Sequence, residues 1–326
     1  MIPRLTRRSL VVAAAASVAA APALAEDCRI GPPPHEKGPR VFLDYDQVEL
    51  DAAYDQTAYA PLEEQILKRL GSLSAAAQER LGAPQREAYG PSEIEKLDIY
   101  RTSHAKAPIF IFIHGGAWRG GNAKAYAYIA ETFVKAGAHC AALDFVNVKE
   151  TAGDLRPMAA QVRRAIAWAY QNAARFDGDP QRLYIGGHSS GGHLCAVALV
   201  TEWEKEFGLP VDVVKGGLCM SGLYDLKPVR LSSRSSYVHI SDEIEDALSP
   251  ARHIDRVRPP IIVTYGGNET PEFQRQNRDF AAAVKAAGKP VELVAAPDFN
   301  HFEMVESLGN PYGPNGRAAL KLMGLG

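Results

Sequence analysis

Four cysteines in 326 residues, 8% aromatic residues and the absence of any run of lysine or arginine in the body of the chain set the first limits. Four thiols, Cys28, Cys140, Cys195 and Cys219, are too few to staple a chain of this length. Cys140 and Cys219 sit in apolar runs and Cys195 follows a glycine-rich turn, so buried thiols are expected there. Cys28 follows Glu26-Asp27 where a lipid-modified cysteine requires small residues, which excludes a lipoprotein. The formal net charge is -2, from 36 Lys and Arg against 38 Asp and Glu. Without a basic footprint, nucleic acid is excluded as a partner. No apolar run reaches the roughly 20 residues that span a bilayer, so no stable membrane anchor is expected. No H-E-x-x-H, Walker or dinucleotide fingerprint occurs, so neither metal nor cofactor is expected. What remains is 46% hydrophobic, enough for a sizeable core, and points to a small-molecule substrate.

The first 25 residues carry a separate message. Thr6-Arg7-Arg8-Ser9-Leu10-Val11 resembles a twin-arginine signal, an Ala- and Val-rich stretch follows, and Ala23-Leu24-Ala25 is a small-residue cleavage site. The expected mature protein is exported, periplasmic or secreted. Losing Arg4, Arg7 and Arg8 leaves it more acidic than the full chain.

Residues 26 to 91 are polar and Pro-rich at first, then helical between 61 and 81, and carry no parallel-strand signal; they read as an N-terminal extension. Beyond them strand and helix patterns alternate, which predicts a mostly parallel sheet flanked by helices, in one α/β domain. Strands are expected at 97–100, 109–113, 139–145, 182–185, 214–220, 261–265 and 291–295. Ile109-Phe110-Ile111-Phe112-Ile113 is apolar without alternation, as a strand covered on both faces must be. Helices are expected over 124–135, from Pro157 and from Thr270-Pro271, and the loop-rich stretch 223–257 reads as an inserted cap.

The most informative segment is Leu183-Tyr184-Ile185-Gly186-Gly187-His188-Ser189-Ser190-Gly191-Gly192-His193, a strand, a glycine-bounded serine and a helix. So tight a turn brings the residues two before and two after Ser189 together, which requires Gly187 and Gly191. It exposes Ser189 as a nucleophile and offers the Ser190 N–H, at a helix N-terminus, to an oxyanion. His114-Gly115-Gly116-Ala117-Trp118 follows the apolar strand as an oxyanion loop: Gly115 and Gly116 let the backbone approach a scissile carbonyl. His114 reads as a brace for that loop, and Trp118 either walls the acyl pocket or packs in the core.

Serine needs a general base, and His301 in Asp298-Phe299-Asn300-His301-Phe302, after the last strand, is the candidate. His188 and His193 read as packing residues. The acid expected to orient the base is Glu269, in the loop after the strand at 261–265; Glu272 and Asp225 are the alternatives, and Asp298 lies too close to His301 in sequence. A neutral His301 is required, so the rate is expected to fall in acid.

The serine elbow, the H-G-G-x-W loop and Asn300-His301-Phe302-Glu303 resemble the α/β-hydrolase superfamily. Tyr45-Asp46-Gln47, Leu50-Asp51-Ala52-Ala53-Tyr54, Ser221-Gly222-Leu223-Tyr224-Asp225-Leu226 and Thr270-Pro271-Glu272-Phe273 resemble its arylformamidase (kynurenine formamidase) and related carboxylesterase branch. That resemblance implies an α/β-hydrolase fold and hydrolysis of small acyl groups from esters or aryl amides, with the triad on Ser189, Glu269 and His301. Glutamate stands where the family usually has aspartate, and the export signal departs from cytosolic tryptophan breakdown. The expected activity is therefore that of a carboxylesterase on short-acyl esters, with an arylformamidase-type amide hydrolase as the second reading. A non-catalytic binding module is the third, and it is disfavoured by the retained serine, histidine and acid.

Overall fold

The computed structural model describes residues 34–326; the export signal expected at 1–25 and Cys28 lie outside them. Eight strands form one sheet in the order β1-β2-β4-β3-β5-β6-β7-β8. They are β1 (Gln85–Ala88), β2 (Lys96–Tyr100), β3 (Ala107–Ile113), β4 (His139–Leu143), β5 (Gly178–His188), β6 (Gly216–Met220), β7 (Ile261–Asn268) and β8 (Val291–Asn300). From β4 to β8 every neighbouring pair is parallel, while β1–β2 and β2–β4 are antiparallel. The mostly parallel sheet is thus as the strand and helix alternation predicts.

Strand β3 shows why this sheet is central. Ile109, Ile111 and Ile113 enter one buried cluster and Phe110 and Phe112 the other, because successive side chains point to opposite faces. Both faces are covered, so no position of the strand carries a polar residue. Helices α3 (Ala127–Lys135), α4 (Arg156–Asn172), α5 (Ser190–Leu199), α9 (Pro271–Ala286) and α11 (Pro314–Met323) supply the cover, with short α6 (Trp203–Phe207) and α10 (His301–Glu306) between them. Thr270 caps α9 by accepting from the Phe273 N–H, and Pro271 occupies its first position, where no N–H is needed.

The extension is more than a tail. It holds α1 (Gln47–Ala52), α2 (Glu63–Leu81) and β1, and β1 adds an antiparallel edge strand that the sequence pattern did not reveal. A four-residue strand with half-exposed, charged positions has no apolar alternation to betray it. Several bonds tie the extension down, among them Arg80, which pairs with Glu131 of α3 at 2.6 Å, and Thr270 Oγ1, which donates to the Ala53 carbonyl at 2.7 Å. The expected cap at 223–257 consists of short helical turns, including α7 (Lys227–Leu231) and α8 (Asp242–Leu248). Cys140, Cys195 and Cys219 are free and buried, as their apolar surroundings imply. Among the described residues no helix is long and apolar enough to cross a membrane.

Candidate active site

Ser189 stands between the end of β5 and the start of α5 with φ 57° and ψ -124°, a conformation that costs a non-glycine residue energy. Its neighbours allow it. A Cβ on Gly187 would collide with the Gly191 carbonyl, and one on Gly191 with the backbone of Ile113 and His114. The strained turn is held from the next strand by the Ser189 N–H, which donates to the Met220 carbonyl at 2.9 Å.

His301 opens α10, where Asn300 caps the helix by accepting from the Phe302 and Glu303 N–H groups. Its ring Nδ1 lies 3.1 Å from Glu269 Oε2. A carboxylate accepts, so Nδ1 carries the proton and Nε2 is left as the basic nitrogen. Glu269 is fully buried, and its other oxygen accepts from the Gly266 N–H at 2.7 Å and from the Ser221 hydroxyl at 2.5 Å. Those bonds fix the carboxylate and compensate its loss of water. The loop reaches His301 because Gly266 and Gly267 pack directly against the carbonyls of Phe299 and Pro297.

The alternatives for the acid go elsewhere. Glu272, also buried, is clamped by Arg275 through two 2.7 Å bonds in the first turn of α9. Asp225 accepts from the Lys227 N–H at 3.1 Å, and Asp298 lines a different surface cavity.

The glycine loop approaches the serine closely: a Cβ on Gly115 would lie 3.1 Å from Ser189 Cβ and 2.8 Å from the His188 carbonyl. Gly116, with φ 123°, and Ala117 line the cavity in front of Ser189. Ser190 is buried at the first position of α5. His114 is the brace that the sequence suggests, with Nδ1 donating to the Gly115 carbonyl at 2.8 Å and its ring stacked 4.2 Å from that of Phe145. Burial pushes its pKa down.

Trp118 is the correction. Instead of walling the pocket it is 1% exposed in the core, with its indole N–H donating to His193 Nδ1 at 3.1 Å. The turn through Ala117 and Trp118, both at positive φ, carries the indole into the buried core cluster. Sequence reasoning assigns neither of two further cavity residues to the site: His188 reads as a packing residue, and Arg234 carries no signal. His188 is buried yet lines the cavity, and its Nε2–H donates to the His301 carbonyl at 2.9 Å. Arg234, on the cap, lines it as well. No motif marks Arg234, because its place depends on segments far apart in the chain.

The cavity has a volume of about 330 Å³, and Ser189, His301, Tyr54, Leu70, Tyr126 and Arg234 are among its walls. The main sheet, the extension and the cap all contribute.

The family model named BD-FAE matches residues 97–217. Kynurenine formamidase of Salmo salar is 30% identical over 244 residues, covering 72% of this chain and 80% of the relative. That of Danio rerio is 28% identical over 273 residues, covering 80% and 90%. Esterase LipQ of Mycobacterium tuberculosis is 28% identical over 236 residues, covering 65% and 55%. Among solved structures, an esterase of Pyrobaculum calidifontis superposes with a TM-score of 0.64 at 18% identity, covering 84% of this chain and 96% of that one. Esterase Est2 of Thermogutta terrifontis gives 0.59 at 22%, covering 74% and 90%. The sheet order, the serine turn and these likenesses agree: the chain belongs to the kynurenine formamidase and carboxylesterase-like family of α/β-hydrolases.

Proposed function

We propose that this hydrolase cleaves short-acyl carboxylic esters through a triad of Ser189, His301 and Glu269. The observation that carries the reading is the strained Ser189 sharing one cavity with a histidine whose far nitrogen is bound to a buried carboxylate. Neutral His301 takes the Ser189 proton at Nε2 as Oγ attacks the carbonyl carbon. The N–H groups of Gly115, Gly116 and Ser190 receive the oxyanion, each such donor being worth about 10²- to 10³-fold in rate. Collapse releases the leaving group with the proton from His301, and water repeats the steps on the acyl-enzyme. Glu269 holds the imidazole in the required tautomer and stabilises the imidazolium.

A second reading, an arylformamidase-type hydrolase of N-formyl or other small aryl amides, is favoured by the long matches to kynurenine formamidases. Both readings use the same machinery. We also propose processing after Ala25 and export, on the strength of the paired arginines and the Ala-Leu-Ala site. Acting outside the cytoplasm fits the ester reading better.

The test is kcat/KM of the processed protein on p-nitrophenyl acetate, butyrate and octanoate beside N-formylkynurenine, with Ser189→Ala as the blank. Preference for the short esters supports the first reading, and preference for the formyl amide replaces it with the second. Ser189→Ala is expected to lower kcat by at least about 10⁴-fold, and equal rates would remove the triad altogether.

A further inference from the structure

Arg234 is a buried cation with no ion-pair partner among the described residues. It is carried by a helical turn of the cap, Ser233–Ser236, which Ser232 caps and Asp51 of the extension anchors by accepting from the Ser233 N–H at 2.6 Å. The residue is 9% exposed and lines the cavity that holds Ser189 and His301. One guanidinium nitrogen, Nη2, donates to the Tyr54 carbonyl at 2.9 Å. The other, Nη1, is buried and has no hydrogen-bond partner among the described residues. The rings of Tyr54, Trp118 and Phe273 lie 5.3, 5.7 and 5.8 Å from its central carbon. Ring faces offset part of the lost hydration but accept no strong hydrogen bond.

The acid that acts on it gives little relief. Asp55 acts on Arg234 only through space, its Oδ1 accepting from the Thr57 N–H and hydroxyl at 3.0 and 2.6 Å. Arg119, on the same cavity wall, adds a second positive charge that opposes the first. A guanidinium does not shed its proton in a protein, so an unpaired buried one is costly to maintain. Such a group is retained where a ligand completes it, and its planar fork matches a carboxylate. Glu63 and Asp55 also line the cavity, from the extension, so an anion is held there only by direct contact with a guanidinium.

We infer that Arg234 is a specificity-determining residue: it receives a carboxylate borne by the substrate while Ser189 attacks the acyl group. This rests on the hydrolase reading above and narrows its substrates to anionic ones.

The experiment compares kcat/KM at fixed ionic strength on 3-acetoxybenzoate and 3-acetoxyphenylacetate, each beside its uncharged carboxamide. Wild type, Arg234→Lys and Arg234→Met are measured. Wild type is expected to favour the carboxylate member of at least one pair by about tenfold or more, the gain from one charged hydrogen bond. The ratio falls to near one in Arg234→Met and to an intermediate value in Arg234→Lys. No preference in wild type, or a preference that survives Arg234→Met, overturns the inference. Because Arg234→Met also loses the bond to Tyr54 and is at risk of misfolding, a second measurement uses wild type alone. Benzoate is expected to slow labelling of Ser189 by a fluorophosphonate several-fold more than benzamide does, and equal protection counts against the inference. Labelling without any carboxylate present reports on Ser189 itself, so failure of the hydrolase reading shows separately.

Discussion

Glu269 and Glu272 are three residues apart, both fully buried, and do different things. One faces His301; the other neutralises Arg275 and accepts from Gln276 at 3.1 Å. Glu269→Gln keeps the shape but removes the charge that holds the imidazole tautomer. It is expected to lower kcat by about 10³- to 10⁴-fold with little change in KM. Glu272→Gln strips Arg275 of a buried partner and is expected to lower Tm while leaving kcat within a few-fold; a kcat collapse in Glu272→Gln with Glu269→Gln active would reverse the assignment. Trp118 offers a matching check. Trp118→Phe leaves His193 Nδ1, a buried acceptor, without its donor, a loss of about 1–3 kcal/mol. Thermal melting should show that loss, and the acyl-chain preference should stay as it is, because the indole lies outside the cavity.

At the scale of elements, the serine turn works because β5, β6 and the glycine loop approach as backbone against backbone. Gly191→Ala would drive a methyl group into the carbonyls of Ile113 and His114, which neither strand nor loop can move without breaking the turn. We expect a loss of more than about 3 kcal/mol, read as insoluble or premelted protein. Gly71 is the converse. It lies inside α2 with nothing within 4 Å of an added Cβ, so Gly71→Ala is expected to stabilise by about 0.5–1 kcal/mol in denaturant unfolding. Strand β1 and the extension's ties to Thr270 show an element whose role is positional: the segment that supplies Tyr54 to the cavity also holds the loop carrying Glu269.

For the molecule as a whole, four buried histidines lower stability in acid. Burial lowers the pKa of His114 and of His139, burial and the nearby His301 push that of His188 well below its usual value, and burial brings His193 to about 4. In the unfolded chain each takes a proton near pH 6.5, whereas the folded chain resists it. Between pH 6.5 and about 4 the unfolded state therefore binds more protons, and stability falls with pH. Tm is expected to drop across that window and to be flat in this contribution above pH 7. His193→Gln should flatten part of the slope; an unchanged slope in every buried-histidine variant would point to the carboxylates instead.

The sheet was legible because apolar strands buried on both faces leave an unbroken pattern, as β3 does, and parallel pairing requires helices between them. The serine turn and the glycine loop were legible for a local reason: their steric demands fall on residues within a few positions of each other, at Gly187, Gly191, Gly115 and Gly116. Position after the last strand was enough to single out His301. By itself, then, the amino-acid order determined every strand but β1, the strained turn and the kind of chemistry. Tertiary structure alone decided that Glu269 rather than Glu272 or Asp225 meets His301, that Trp118 turns inward, and that Arg234 arrives unpaired beside Ser189. Those outcomes depend on how loops dozens of residues apart converge, and convergence is set by packing of the whole core, which no local spacing encodes.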